Sequence, residues 1–257
     1  MTWGRKARFL AHAVVAVFPL RLKRLCYRYV FGFRIGRDVR IGLSLLDVDR
    51  CVLGDGVHIG HGNVFTRIGE LWVGDHARIG FGNLLRGAAR IDLGKYSEIL
   101  RFNKINAIPD ADCIGTPEPV FALGEGSIVT NEHRIDCTDR VEIGRFTVIG
   151  GRNSSFWTHN RQVTRQIRIG SFVYIGSEVR FAPGGAIPSW SILGLGSVVI
   201  GPIGEEGFLI AGVPARTIRP LSDEDLAMVG RKTRRDIPDA WYDDVTSKWP
   251  PAAALPG

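Results

Sequence analysis

From Ile35 onward an aliphatic residue, often followed by glycine, recurs every six positions. Leu53-Gly54, Ile59-Gly60 and Phe65 form one triplet; Val73-Gly74, Ile79-Gly80 and Leu85 form the next, then Leu93-Gly94, Ile99 and Ile105. The pattern resumes with Leu123, Val129 and Ile135, then Ile143, Ile149 and Ser155, then Ile169, Ile175 and Phe181, and ends with Ile187, Leu193 and Val199. Leu53, Val73 and Leu93 are each 20 residues apart, as are Leu123 and Ile143, so a coil holds three hexapeptides and usually two further residues. A period of six fits neither a helix nor an alternating strand, and fixed short periods belong to solenoids. Three short strands per coil predict an all-β triangular prism of parallel strands over residues 35–220. Each aliphatic residue then stacks on its counterpart one coil away, and both ends need caps. Glycine after the aliphatic position suits backbone too tightly turned for larger residues.

A second column supports the register. Asn63, Asn83, Asn103 and Asn153 each follow the second aliphatic residue of their coil by four positions, and His133 fills the same place in the coil that starts at Leu123. Stacked asparagines at one corner pair turn backbone that would otherwise lack partners. The register leaves open whether His133 is a ladder residue or a participant in chemistry. Two stretches break the period: Asn106-Ala-Ile-Pro-Asp-Ala-Asp-Cys-Ile-Gly-Thr-Pro-Glu-Pro119, and the segment between Ser155 and Ile169 that contains Phe156-Trp-Thr-His-Asn160. Loops ejected from a rigid scaffold are common places for function.

Charge is concentrated at one end. Residues 1–40 hold ten Lys/Arg and one acid, Asp38, a net of +9; the remainder holds 23 Lys/Arg against 25 acids. The apolar run Phe9–Leu20, flanked by Arg5-Lys-Ala-Arg8 and Arg21-Leu-Lys-Arg24, is shorter than the ~20 residues that span a bilayer. A basic stretch follows it where a signal peptide would have its small-residue cleavage site. Residues 1–34 are therefore expected to form a basic amphipathic helical segment that caps the solenoid, and a compatible second role is peripheral contact with an anionic membrane. Residues 221–257 read as a short helical tail. Cys26, Cys51, Cys113 and Cys137 are scattered, with neither zinc nor disulfide spacing, which points to reduced thiols in a cytoplasmic protein.

There is no nucleophile elbow, P-loop or dinucleotide fingerprint. Of the six histidines, His12 lies in the N-terminal segment, and His58, His61 and His76 lie within regular coils. His159, in Thr158-His159-Asn160, sits on an ejected loop just before Ile169-Gly-Ser-Phe-Val-Tyr-Ile-Gly176. With Pro183-Gly184, Leu193-Gly-Leu-Gly-Ser-Val-Val199 and Ala211-Gly-Val-Pro-Ala-Arg216, this stretch resembles the hexapeptide-repeat acyltransferases of the maltose and galactoside O-acetyltransferase type and those of surface-polysaccharide synthesis. Tyr174 stands where that family has Trp. The resemblance covers roughly residues 120–220.

It implies a left-handed β-helix and O-acyl transfer from acetyl-CoA to a hydroxyl of a sugar or glycan precursor, without a metal. His159 matches the family's catalytic base, since an imidazole titrating near neutrality can take the proton of an attacking hydroxyl. His133 and Asp136 fall where the family often has an acceptor-binding Asn and Asp, so His133 is expected to take part in catalysis, and Asp136, Trp157 and Asn160 to contact the acceptor. Backbone N–H groups of the irregular coils would hold the oxyanion. Ala182, Gly196 and Ser197 match backbone or small-residue contacts to CoA, Arg216 a basic residue near its phosphates, and the assembly implied is a homotrimer. Nucleic acid is not an expected partner. A γ-carbonic anhydrase shares the fold but needs a histidine pair at a spacing that here ends on Thr138 or Thr164. N-acylation of an amino sugar and a non-catalytic scaffold are the alternatives.

Overall fold

In the computed structural model, which describes residues 4–108 and 115–248, the expected parallel β-helix forms as a solenoid of about nine turns. Cys113, much of the first period-breaking stretch, and the ends of the chain lie outside the described residues. Each hexapeptide contributes a short strand, and the strands of the coils pair in parallel with their counterparts one coil away. The first face stacks Leu53 on Val73, Val73 on Leu93, Leu93 on Leu123 and Leu123 on Ile143. The second stacks Ile59 on Ile79, Ile79 on Ile99, Ile99 on Val129 and Val129 on Ile149. The third runs Phe65, Leu85, Ile105, Ile135, Phe156, Phe181 and Val199. All of these side chains are buried in one continuous core, so burial of like on like carries the fold.

The corner ahead of the third face carries the polar column. Asn83 N–H donates to Asn63 Oδ1 at 3.0 Å, Asn103 N–H to Asn83 Oδ1 at 2.9 Å, and His133 N–H to Asn103 Oδ1 at 3.0 Å. Each asparagine amide also donates onward to a carbonyl of the next coil, such as Asn103 Nδ2 to Thr130 O at 2.7 Å. His133 continues the column: its Nδ1 accepts from Ser154 N–H at 3.2 Å, and Nε2 lies 3.0 Å from Thr130 Oγ1. Because Nδ1 accepts, Nε2 bears the proton and donates to the Thr130 hydroxyl, which in turn donates to Ile149 O.

After His133 the register differs from the regular period by one residue. Asn131 pairs with Arg152, Ile135 with Phe156, and the column passes to Ser154 instead of Asn153. Asn153 is exposed, and Phe156, not Ser155, fills the third-face core position. The cause is one extra residue in the strand Val148–Arg152, a β-bulge accommodated by positive φ at Gly151 and Asn153.

The glycines after the first-face residues have another reason than the one their sequence position suggests. Gly74 and Gly144 do not have positive φ. A Cβ on Gly74 would stand 2.7 Å from Lys95 N, and one on Gly144 2.6 Å from the Gly170 carbonyl carbon, so the next coil's backbone fills the space. Left-handed backbone falls two residues later, and there His76, Tyr96, Phe146, Phe172 and Trp190 adopt it despite their side chains. The rings repay that strain by stacking between coils: His76 on Tyr96 at 5.0 Å and Phe172 on Trp190 at 4.3 Å. Two C-terminal helices, α3 (Asp223–Val229) and α4 (Asp239–Thr246), pack along this aromatic column through Leu226, Val229, Trp241 and Tyr242. Between them the buried Arg234 guanidinium donates to the carbonyls of His76 and Tyr96. The tail thus completes a second hydrophobic cluster, separate from the core of the prism. The solenoid itself runs one strand past Val199: Phe208–Gly212 adds to the second face, and Ala215–Pro220 folds back on it antiparallel.

At the other end the expected helical cap is two helices, α1 (Arg5–Ala16) and α2 (Leu20–Tyr29), separated by Pro19, which stands just outside the first turn of α2. His12 stacks on Phe31 with ring centroids 3.8 Å apart, and Lys23 Nζ donates to Gly42 O at 2.7 Å.

Burial lowers the pKa of both His12 and His133 to about 4. In the unfolded chain each titrates near 6.5, so the unfolded state takes up protons first as the pH falls. The stability the two neutral rings contribute is complete above pH 6.5 and declines between 6.5 and about 4, by up to ~1.4 kcal/mol per pH unit for each ring. Urea unfolding across this range should show that decline, and His133→Asn should flatten it.

Candidate active site

The second period break produces the site. Residues 157–166 leave the corner between the third and first faces, and the chain returns at Ile167–Ile169. The excursion is pinned to itself: Asn160 Oδ1 accepts from the N–H groups of Gln162 and Val163, both at 2.8 Å, and His159 bridges to Thr164. Arg165 N–H donates to Thr158 O at 2.8 Å. Asn160, expected to contact the acceptor, here shapes the loop with its side-chain oxygen.

Asp136 ends the third-face strand Arg134–Asp136 in the preceding coil, directly below this exit. It is buried, and five donors converge on it. Oδ1 accepts from Thr138 N–H at 3.0 Å and Thr138 Oγ1 at 2.6 Å. Oδ2 accepts from Thr158 N–H at 3.1 Å, Thr158 Oγ1 at 3.0 Å and His159 Nδ1 at 2.7 Å. A carboxylate accepts, so Nδ1 of His159 carries a proton, and in the neutral ring Nε2 is then the nitrogen with the lone pair. The His159 side chain is 17 % exposed against 2 % for Asp136. This is the arrangement of a base held by a buried orienting carboxylate. Asp136, expected to touch an acceptor, instead spends its oxygens on the protein, and the two threonines that complete its cage were not among the expected residues. Thr158 stood next to the histidine in sequence; Thr138 had no signal beyond lying two residues after Asp136.

His133 is placed elsewhere. It precedes the strand that Asp136 ends, so ring and carboxylate lie at opposite ends of that strand, and both ring nitrogens are engaged in the column. Trp157 projects from the loop, 43 % exposed. A groove of about 550 Å³ lies beside the loop, lined by Thr164, Arg165, Arg168, Gly184, Ala186 and Asp139, among others.

The residues matched to CoA contacts lie on the following coils. Ala182 N–H is already bonded to Val199 O at 2.8 Å. Gly196 is exposed with φ 68°, and nothing stands within 4 Å of where its Cβ would be. The Ser197 hydroxyl is buried, donating to Gly194 O at 2.7 Å and accepting from Gly212 N–H. Arg216 is exposed on the antiparallel strand. Of these, Gly196 and Arg216 face open solvent, and the Ser197 side chain serves the fold.

No protein-family model matches the chain. A 59-residue stretch, 23% of this chain, is 44% identical to galactoside O-acetyltransferase of Escherichia coli (strain K12) and spans 29% of that relative. Among solved structures, UDP-N-acetylglucosamine acyltransferase from Campylobacter jejuni superposes with a TM-score of 0.59 at 16% identity, covering 84% of this chain and 78% of that one. The chain has the hexapeptide-repeat β-solenoid, and it resembles the acyltransferases built on that solenoid.

Proposed function

We propose that the protein is an O-acyltransferase that moves an acetyl group from acetyl-CoA to a hydroxyl of a sugar or glycan precursor. The observation that carries this reading is the 2.7 Å bond from His159 Nδ1 to the buried Asp136 carboxylate on the ejected loop. In it, His159 Nε2 takes the proton of the acceptor hydroxyl as that oxygen attacks the thioester carbonyl, and later returns it to the departing thiolate. Asp136 is a positioning residue: it fixes the tautomer and steadies the imidazolium that forms. Trp157 offers an exposed ring against which a sugar face can pack. Gly196 and Arg216 are the CoA contacts this reading retains, with Ala182 and Ser197 shaping the coil between them. The reading includes a homotrimer with sites between subunits, a cytoplasmic location, and peripheral contact with an anionic membrane through residues 1–34. His133 has a structural role in it, as a link in the polar column.

Labelled acetyl-CoA offered with a panel of nucleotide sugars and glycans should give an acetylated product. His159→Ala should lower kcat by about 10²–10⁴-fold with the melting temperature preserved. Near-wild-type turnover in that variant removes His159 from the mechanism, and no transfer to any acceptor by the wild type favours the scaffold reading.

His133→Asn separates the column from the chemistry. Asparagine restores the residue type found at Asn63, Asn83 and Asn103, so the variant should fold and keep kcat/KM for the acceptor within about two-fold. A stable variant whose acceptor kcat/KM falls ten-fold or more would return His133 to the site.

A further inference from the structure

Helices that cap a core usually turn their apolar side inward. Here α1 and α2 turn a mixed side inward and carry a second, apolar side outward. The buried positions of α1 are His12 and Val15, and those of α2 are Lys23 and Tyr27. The polar groups turned inward have work to do, because the first coil has no preceding coil to accept from. Lys23 donates to the carbonyls of Gly42 and Ile41, Arg28 to Ile35 O, and Arg8 to Val48 O. Apart from Val15 and Tyr27, the large apolar residues of the two helices are left outside. On α1 and its C-cap residue, Phe9, Leu10, Val14 and Val17 make one stripe at i, i+1, i+5 and i+8, opposite His12 and Val15, with Leu10 63% and Val17 69% exposed. On α2, Leu22, Leu25 and Tyr29 recur at i, i+3 and i+7, again on the side away from Lys23 and Tyr27.

The surroundings of these stripes are cationic. Arg5, Lys6 and Arg21 are exposed, and among the described residues no carboxylate pairs with them. A second copy docked through the same face would bring these like charges together. An anionic lipid surface takes both features at once, apolar side chains below the headgroups and cations among them. Neither helix is long and apolar enough to cross a bilayer, so the geometry is that of helices lying in the interface.

We propose that the outward faces of α1 and α2 dock the protein on an anionic membrane surface, with Leu10, Val14, Val17, Leu22 and Leu25 inserted and Arg5, Lys6 and Arg21 at the headgroups. This deepens the membrane contact named above and stands independently of the acyl-transfer chemistry. The sharper content is which residues insert, and that Lys23 and Arg28, though basic, belong to the cap.

The test is co-sedimentation of the full chain with vesicles of phosphatidylcholine alone or with about one-third phosphatidylglycerol. Partitioning should be at least ~10-fold stronger onto the anionic vesicles and should fall in ~0.5 M salt, where screening is short-ranged. Arg5→Gln with Arg21→Gln should weaken it by on the order of 10- to 30-fold. Leu10→Glu with Val14→Glu should abolish it while thermal unfolding and the light-scattering mass stay unchanged, since neither side chain is buried in the fold. Three results would overturn the proposal: a folded wild type that binds neither vesicle, equal binding to both, or a Leu10→Glu, Val14→Glu protein that binds normally. A fall in oligomeric mass for that variant would also overturn it, by giving the face to a second copy.

Discussion

Everything in this molecule depends on one coil lying in register on the next. The backbone hydrogen bonds of the coil strands point to neighbouring coils, so no coil strand is stable alone and each residue's environment is set by its counterparts above and below. That constraint produces the columns: aliphatic side chains inside, Asn63, Asn83, Asn103 and His133 at one polar corner, and the aromatic stack from His76 to Trp190 at another. It also produces the site. Asp136 and His159 are 23 residues apart in sequence, yet the coil repeat puts the carboxylate one layer beneath the loop, where Thr158 and His159 reach down to it.

The same constraint explains what was legible in the sequence. The six-residue period is a direct image of the fold, so the prism, its three core columns and the ejected segment that carries His159 could be read from Ile35 onward. His159 stood out because it falls where the period fails. What the period could not carry is a change of a single residue. Asn153 and Ser154 both suit a polar corner, so the bulge at Gly151 was invisible there; the sign that the register had moved was Phe156, a larger apolar residue than Ser155 for an inward position. Asp136 was found by position, but its bonds to Thr138 and Thr158 were not, because they come from a turn and a neighbouring coil. The C-terminal helices show no repeat at all. Their role follows from rings held in left-handed turns, which spacing does not reveal.

The buried His133 and the half-buried His159 illustrate how the scaffold sorts residues of one type into different duties. His133 and His159 lie one coil apart, and both ring environments are built from hydrogen bonds between coils. At His133 a backbone N–H points at Nδ1, so the proton is on Nε2 and burial lowers the ring's pKa to about 4. At His159 a carboxylate meets Nδ1, so in the neutral ring the proton is on Nδ1 and Nε2 carries the lone pair. Opposite tautomers follow from opposite partners, and they separate a ring that holds the column from a ring able to take a proton.

That sorting can be observed directly. In ¹⁵N spectra of protein labelled at histidine ring nitrogens, recorded near pH 8 and assigned with His133→Asn and His159→Ala, His133 should appear as the Nε2–H tautomer and His159 as the Nδ1–H tautomer. On lowering the pH to about 5.5, His133 should remain neutral. A His159 found with its proton on Nε2, or a His133 that protonates near neutrality, would contradict the account.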